Sequence, residues 1–564
     1  MEKMIDCLFI GYNELSFMDY EKNIRKMGIN SGAYRDLNLN FLTFNNQPYC
    51  APDIFNLFCV PAPTPGKASV KPLRIGETFS AAIAYLGTYL HQRGFTFDYV
   101  NSFQDQKDEL AQKLSQDNIL TVAIITTLYV SVFPVIEIVE LVRKYNQTAK
   151  IIIGGPFIAT QIRTQDAAAL DYLFNNYIKA DFYIDSSQGE ATLSKLLAAL
   201  KNNRPVEAIE NLYFKKGKDL VVTPIFPENN RLPENMVDWN LFTSGAGEFV
   251  NVRTAISCPF SCAFCGFPQH AGKYQAAPIE AVQEELNTLS KIQTLKFIHF
   301  IDDTFNVPVK RFKELMKMII KNKYNFKWGC HLRCQTIDSE TAGLMKESGC
   351  EGVLLGIESG SNQILANMNK KANLERYYTG IALLKEFGIN TYGSFIIGFP
   401  GETHETVQET VTFIKDSGLD FYRAQLWYCE RITPIWKQKE IYGINGSNFE
   451  WSHKTMNSKE ACDIIEEIFL SITEPLWIPQ YNFDIYGIFH LLHRDLNLER
   501  VKKFLCAFRQ GIKEKLLSPS QKELSHEVIQ QLREAVGNKV NRDNSVDPAN
   551  KRCTLNTREA EFDF

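Results

Sequence analysis

The chain has 564 residues, of which 45% are hydrophobic and 22% charged, and its formal net charge is −4. This composition is typical of globular proteins and excludes collagen-like, coiled-coil and largely disordered classes for the bulk of the chain. Because basic residues do not outnumber acidic ones, the charge balance gives no support to a nucleic-acid-binding function. With about 150 residues per domain, the length predicts roughly three to four domains.

The beginning of the chain predicts a cytoplasmic protein. Residues 1–6 lead directly into a short apolar run, without the longer apolar region and cleavage site of a signal peptide. The longest apolar stretch, 119–136, approaches the length of a membrane span, but it contains threonines, a serine and the internal Pro134. It therefore favours a buried strand, a turn and the start of a helix, and we expect no membrane partner.

The first part of the chain predicts a doubly wound α/β domain. Residues 1–75 contain a strand at 7–10 and then a long polar segment, which we interpret as an irregular insertion. From 76 to 210, apolar strands alternate with helical segments, which indicates a parallel, Rossmann-like sheet. The ligand of such a sheet lies at the carboxyl ends of its strands. The candidate ligand-binding residues there are Thr126, Thr127, Gly154, Gly155, Gly189 and Glu190.

A second α/β series follows a predicted hairpin and linker at 211–247. The segment 248–445 contains strand-like runs separated by helices, and it predicts a full or partial (β/α) barrel with its chemistry at the strand carboxyl ends. Residues 446–538 are predicted to be mainly helical, and the polar tail 539–564 is predicted to be disordered. The predicted fold class is thus α/β: a doubly wound domain, a barrel-type domain and a helical C-terminal region.

Three of the thirteen cysteines decide the predicted function. Cys258, Cys262 and Cys265 have a Cys-x3-Cys-x2-Cys spacing, which lets three thiolates converge on one small metal cluster. Structural zinc sites and electron-transfer clusters normally use four ligands, whereas a three-cysteine iron–sulfur cluster leaves one iron open for a substrate or cofactor. A zinc site with His270 as the fourth ligand remains an alternative. The other ten cysteines are irregularly spaced and do not suggest a disulfide framework.

The cysteine motif resembles that of the radical S-adenosylmethionine (SAM) superfamily, in which an aromatic residue, here Phe264, precedes the last cysteine. The resemblance implies a (β/α)6 partial barrel whose cluster loop follows the first strand, at 250–254. It also implies a [4Fe-4S] cluster whose open iron binds SAM and cleaves it reductively to a 5′-deoxyadenosyl radical. Such a cluster needs an electron donor, for example a flavodoxin or a ferredoxin.

Further strand-end motifs resemble those of the superfamily and occur in the expected order. Asp302 and Asp303 match an acidic strand-end motif. Glu358 and Ser359 stand where the family contacts the ribose and carboxylate of SAM, and Gly398 belongs to a motif that packs against adenine. Each motif alone favours an ordinary strand followed by a turn, but their order and distance from the cysteines favour SAM contacts. The family's Gly-Gly-Glu motif for the methionine moiety is not evident.

The upstream domain resembles the cobalamin-binding domain of one large radical SAM class, on the segments 124–127, 153–160 and 189–193. The resemblance implies that small residues at the strand ends admit the nucleotide tail, and that the helix N-terminus after Gly189 favours its phosphate. A flavodoxin-like domain that binds another ligand, or none, is the alternative. The domain contains only His91 and lacks the Asp-x-His-x-x-Gly motif of His-ligated cobalamin domains, so we expect no histidine–cobalt bond.

Together these resemblances imply a class B, cobalamin-dependent radical SAM methyltransferase, which moves a methyl group from SAM through methylcobalamin to an unactivated position. The chain looks most similar to the phosphinothricin-type P-methyltransferases, on segments such as 251–257, 267–274 and 425–430. The implied substrate is a small natural-product intermediate, free or bound to a carrier or peptide, methylated on a phosphinate phosphorus or on carbon.

A phosphinate is anionic and needs a cation near the barrel mouth. The candidate residues for this role are His270, Lys273, Arg333 and Arg431. Two alternative functions remain open. One is a cobalamin radical SAM enzyme that does not methylate, such as a cyclase, and the other is a zinc-binding scaffold without turnover.

Overall fold

The computed structural model describes residues 4–59, 72–74, 78–116, 118–127, 129, 131–494, 496–518 and 523–536. The tail predicted at 539–564 lies outside these residues. The chain divides into two compact units, of which the first comprises Met1–Leu37 and Arg74–Pro475 and the second comprises Asn38–Leu73 and Leu476–Phe564. These units join distant parts of the chain and do not follow the domain boundaries predicted from chain order.

The first 59 residues contain regular elements. Strand β1 (Cys7–Tyr12) is followed by helices α1 (Phe17–Arg25) and α2 (Gly32–Leu37), strands β2 (Phe41–Phe44) and β3 (Gln47–Cys50), and helix α3 (Ala51–Cys59). The prediction of an irregular insertion is therefore wrong for this segment. Helices α1 and α2 each bury only two residues, so their apolar periodicity is too short to be recognised in the sequence.

The first sheet has the predicted doubly wound architecture. Its further elements are α4 (Ala81–His91), β4 (Phe97–Ser102), α5 (Lys107–Leu114), β5 (Thr121–Ile125), α6 (Phe133–Tyr145), β6 (Lys150–Gly154), α7 (Pro156–Thr164), α8 (Ala167–Asp171), β7 (Phe182–Ile184), α9 (Glu190–Lys201), β8 (Leu212–Lys216) and β9 (Asp219–Val222). The strand order is β4-β1-β5-β6-β7-β8-β9. Strands β4 to β7 in this order are parallel, whereas β8 and β9 are added antiparallel. The hairpin that was predicted as part of a linker thus extends the sheet.

This sheet forms because its central strands are apolar on both faces. All of the residues 122–124 of β5 and 151–153 of β6, whose side chains alternate between the two faces of the sheet, are apolar and at most 6% exposed. Such continuous burial is characteristic of parallel strands that are covered by helices on both sides. The order of the first five strands reverses direction between β1 and β5, and ligands of doubly wound sheets bind at such a reversal.

A second series of alternating strands and helices follows. Its elements are β10 (Phe249–Val252), β11 (Ala255–Ile256), α10 (Phe267–Ala271), β12 (Gln275–Ala276), α11 (Ile279–Leu289), β13 (Phe297–Phe300), α12 (Val309–Asn322), β14 (Lys327–Leu332), α13 (Ser339–Glu347), β15 (Cys350–Glu358), α14 (Asn362–Asn367), α15 (Leu374–Glu386), β16 (Asn390–Ile397), α16 (His404–Asp416) and β17 (Phe421–Leu426). Strands β10, β13, β14, β15, β16 and β17 are parallel neighbours in this order, as expected for a (β/α)6 partial barrel. Strand β14 was not recognised from the sequence; it contains Gly329, and glycine is depleted in strands.

The remaining elements are mostly helical, as predicted. The first unit ends with α17 (Lys439–Tyr442), β18 (Asn445–Ser447), β19 (Glu450–Ser452) and α18 (Ser458–Ser471), and the second unit contains β20 (Leu476–Trp477), α19 (Ile485–Leu492), α20 (Leu498–Leu517) and α21 (His526–Val536). Within the second unit, the rings of Phe55 and Phe504 meet edge to face at 5.7 Å. Among the described residues, no helix combines the length and the apolar character that a membrane crossing requires.

Candidate functional site

A cavity of about 390 Å³ lies at the carboxyl ends of the strands of the first sheet. Five of the six residues predicted to bind a ligand in the upstream domain line this cavity: Thr127, Gly154, Gly155, Gly189 and Glu190. The opposite wall comes from the start of the barrel and includes Arg253, Ser257, His270 and Asp303. The strand ends of the upstream domain and residues on both sides of the cysteine loop thus line the same cavity.

Two consecutive glycines border this cavity with bare backbone. Gly155 has φ +110°, and a Cβ atom at this position would lie 3.0 Å from Thr126 Oγ1. A Cβ atom on Gly154 would instead lie 3.6 Å from Ile184 Cβ, which is an ordinary contact. A single methyl group therefore fits at Gly154, whereas a longer side chain would enter the cavity. Bare backbone along this wall suits a bulky ligand that approaches the strand ends closely.

The N-terminus of α9 is occupied by a carboxylate. Glu228, from the segment after β9, accepts hydrogen bonds from the backbone N–H groups of Ala191 at 2.9 Å and Thr192 at 3.1 Å. The predicted phosphate site after Gly189 is therefore wrong, because these donors already have an anionic partner. Glu190 remains in the cavity wall, where its carboxylate accepts a hydrogen bond from Asn230 at 2.9 Å and burial raises its pKa to about 6.

The three predicted cluster ligands lie in one loop after β11. Cys262 is buried, whereas Cys258 and Cys265 are half-buried. The backbone N–H of Ala263 donates to Met368 O at 2.7 Å, which fixes the loop against the segment after α14. Within the described residues, no three histidine, cysteine or acidic side chains already form a metal-binding arrangement.

An iron–sulfur cluster in this loop would need its cysteines as thiolates. Burial raises the pKa of the Cys265 thiol to about 12. Cluster binding must therefore displace a proton from this thiol to form the thiolate ligand. Cys330 and Cys350, two of the other ten cysteines, are buried in the strands β14 and β15.

Arg333 lies beside the cysteine loop. Its guanidinium is 3.8 Å from the centre of the Phe260 ring, and Nη1 is 3.8 Å from Cys262 Sγ. The residue is only 5% exposed, yet Nε and Nη2 have no hydrogen-bond partner. Buried donors without a partner are costly, so they suit an anionic group bound next to the cluster. Arg333 directly follows strand β14 and thus lies at the carboxyl end of a barrel strand, where the sequence predicted a cation.

Asp302 binds the chain segment that leads into the cysteine loop. Its carboxylate accepts hydrogen bonds from Thr254 N at 2.6 Å, Thr254 Oγ1 at 2.5 Å and Ala255 N at 3.1 Å. Its side chain is buried, and these contacts hold the chain that enters the loop. Asp302 therefore has a positioning role in the structure instead of the predicted direct contact with SAM, whereas Asp303 lines the cavity.

The other predicted SAM residues have internal partners. Glu358 forms a buried ion pair with Lys370 at 2.8 Å, and Lys370 Nζ lies 5.5 Å from the centre of the Phe264 ring. Ser359 Oγ is 3.2 Å from Thr410 Oγ1. A Cβ atom on Gly398 would lie 2.4 Å from the ring of Trp451. This glycine permits close packing of Trp451. Of these residues, Glu358 is connected to Phe264 of the cysteine loop through Lys370.

The remaining candidate cations differ in exposure. Lys273 and Arg431 are exposed. His270 lines the cavity, where Arg163 donates a hydrogen bond to its Nδ1 and its Nε2 lies 3.4 Å from Glu430 Oε1. His270 is thus engaged with these partners, which does not favour a fourth zinc ligand.

Comparisons with known proteins agree with this geometry. The model of the Radical SAM superfamily matches residues 253–414. A protein named as an uncharacterised methyltransferase from Pyrococcus horikoshii is 28% identical over 322 residues, which cover 56% of this chain and 68% of that protein. The anaerobic magnesium-protoporphyrin IX monomethyl ester cyclase of Rubrivivax gelatinosus is 27% identical over 390 residues, which cover 65% of this chain and 68% of the cyclase.

A solved structure shares most of the fold. The radical SAM methyltransferase TsrM from Kitasatospora setae, with cobalamin and a [4Fe-4S] cluster bound, superimposes with a TM-score of 0.54 at 16% identity. The match covers 79% of this chain and 97% of TsrM. The chain therefore has the fold of cobalamin-dependent radical SAM enzymes.

The radical SAM domain recognised from the sequence is thereby confirmed. Residues 253–414 are a radical SAM domain, whose cofactors are a [4Fe-4S] cluster and SAM. The α/β fold class is confirmed as well.

Proposed function

We propose that the protein is a cobalamin-dependent radical SAM methyltransferase of class B. Its substrate is a small natural-product intermediate, which is methylated on carbon or on a phosphinate phosphorus. The observation that carries the proposal is the shared cavity, because Gly154 and Gly155 of the cobalamin-type sheet face Ser257 and His270 beside the cysteine loop. One cavity would thus hold the ligand of the upstream sheet next to the cysteine loop of the barrel.

The described residues fit the two cofactor sites. Cys258, Cys262 and Cys265 would hold three irons of the cluster, and the unpartnered nitrogens of Arg333 suit the carboxylate of SAM. The bare backbone at Gly154 and Gly155 and the apolar groove beyond it suit a corrinoid with a nucleotide tail. When bound, the cluster and SAM supply a hydrogen-abstracting radical, and cobalamin carries the methyl group.

The protein's own groups position these cofactors. Asp302 fixes the entry to the cysteine loop, and the Glu358–Lys370 ion pair supports Phe264 within it. Arg333 orients an anion next to Cys262. We propose that a flavodoxin or ferredoxin supplies electrons in the cytoplasm, and that no nucleic acid takes part.

A non-methylating cyclase is the second candidate function. It is favoured by the 27% identity with the magnesium-protoporphyrin IX monomethyl ester cyclase, which covers 65% of this chain. The two candidates differ in whether a methyl group reaches the cobalt, and this can be measured without knowing the substrate.

The test is an anaerobic assay of the reconstituted protein with CD3-labelled SAM and reduced cobalamin. We expect CD3-methylcobalamin together with S-adenosylhomocysteine. When a strong reductant is present, we also expect 5′-deoxyadenosine. All three products are measured by mass spectrometry. 5′-Deoxyadenosine without any labelled methylcobalamin would contradict the methyltransferase and favour the cyclase. Absence of both products would exclude both candidates.

The cobalt should have no histidine ligand. His91 is exposed at the end of α4 and does not line the cavity, whereas His270 lines it with both ring nitrogens engaged. Paramagnetic resonance spectra of protein loaded with cob(II)alamin should therefore lack the three-line splitting of an axial histidine nitrogen. His91→Ala should leave the spectrum unchanged. Splitting that disappears in His270→Ala would contradict this prediction, whereas splitting that persists in both variants would come from the cofactor's own base.

A further inference from the structure

Arg253 places a positive charge in the wall of the cavity. It follows β10 directly, and among the lining residues in the described part of the chain it is the only arginine or lysine. Its guanidinium carbon lies 4.1 Å from the centre of the Tyr85 ring, and the Tyr85 hydroxyl donates to Arg253 O at 2.9 Å. Stacking on an aromatic face and a fixed backbone restrict the orientation of the planar group before any ligand binds.

The charge of Arg253 is not neutralised by a direct partner. Its Nε is buried without a hydrogen bond, and no described carboxylate forms an ion pair with it. Burial raises the pKa of three nearby carboxyl groups and Arg253 lowers it, without a direct ion pair to any of them: Glu190 bonds to Asn230 at 2.9 Å, Glu285 accepts from Trp239 Nε1 at 2.9 Å, and Asp303 lines the same cavity. A buried donor on a cation without a partner favours an oxyanion.

The nearby helix terminus cannot serve this oxyanion. Glu228 already occupies the N-terminus of α9, which would otherwise be the natural phosphate site of the sheet. The same cavity has an apolar part of its lining, here called the apolar groove, which includes Ala82, Leu86, Ile152 and Leu193. A ligand that carries an anionic group next to an apolar aromatic moiety matches this combination.

We propose that Arg253 binds the phosphodiester of the corrinoid's nucleotide tail, while the apolar groove receives the tail's aromatic base. This inference rests on the proposed cobalamin-dependent function. It assigns the contact with the phosphate to Arg253, directly after the first strand of the barrel. The sequence had predicted this contact at a helix N-terminus of the upstream domain. An anionic substrate presents the same chemistry, and the experiment separates the two sources.

The test compares two corrinoids in anaerobic binding titrations with the full chain. Cobalamin has the phosphodiester tail, whereas cobinamide has the same corrin ring without phosphate, ribose and base. Arg253→Gln should weaken cobalamin binding by about 10- to 100-fold, as expected for loss of a charge-assisted hydrogen bond. The same variant should bind cobinamide like the wild type, which also reports that it is folded.

Arg93→Gln is the matched control. Arg93 is also an arginine stacked on a tyrosine, with its guanidinium carbon 3.3 Å from the centre of the Tyr89 ring, but it is exposed and outside the cavity. This variant should bind both corrinoids like the wild type.

Other results would overturn the inference in distinguishable ways. Unchanged cobalamin binding in Arg253→Gln would exclude the phosphodiester contact and leave a substrate anion as the partner of Arg253. Equal weakening for cobalamin and cobinamide would assign Arg253 to the corrin ring. If the wild type binds neither corrinoid, the proposed function fails together with the inference.

Discussion

Replacement of Cys262 by alanine should abolish both the iron–sulfur cluster and SAM cleavage. Cys262 is the buried member of the cysteine set and lies 3.8 Å from Arg333 Nη1, so its loss removes a ligand from the centre of the site. Anaerobically reconstituted wild type should contain about four irons per chain, as a [4Fe-4S] cluster requires. The variant should retain almost none and form no detectable 5′-deoxyadenosine.

Cys506→Ala is the control for this result. Cys506 lies in α20, in the compact unit that does not contain the cysteine loop, and its replacement should leave iron content and SAM cleavage unchanged. A Cys262→Ala protein that still produces 5′-deoxyadenosine would show that the three-cysteine assignment is wrong.

Gly154→Leu should prevent cobalamin binding and leave the cluster in place. The first added carbon fits, since it would lie 3.6 Å from Ile184 Cβ, but the rest of the leucine side chain must extend into the cavity. The leucine side chain and the bound ligand would occupy the same volume, and the close-packed wall cannot move to make room for both. We expect cobalamin binding in the titration to fall below detection, with iron content like the wild type.

Gly154→Ala distinguishes occlusion of the cavity from a change in the backbone. It adds only the tolerated carbon, so it should bind cobalamin with nearly wild-type affinity. Gly155→Leu should lose binding too, but this variant is less informative because φ +110° at Gly155 strains any side chain. Unchanged cobalamin binding in Gly154→Leu would remove the cofactor from this cavity.

Local patterns determined the class of the protein and most of its elements. The spacing of Cys258, Cys262 and Cys265 places three ligands in one loop whatever the surrounding fold, so it could be interpreted from the sequence. Continuous apolar runs identified strands such as β5 and β6, because burial on both faces leaves a strong signal. Short polar helices such as α1 and the atypical strand β14 were missed, because they carry little of that signal.

The partners of the charged residues were decided only by the tertiary structure. Glu228 reaches the N-terminus of α9 from a segment beyond the next hairpin, and Arg163 reaches His270 across more than 100 residues of chain. Arg333 likewise contacts Cys262, and Arg253 stacks on Tyr85, although the two residues of each pair are far apart in the chain. A sequence pattern records which side chains can bear a charge. Whether that charge is paired, buried or left facing a cavity depends on contacts between distant segments, which only the folded chain creates.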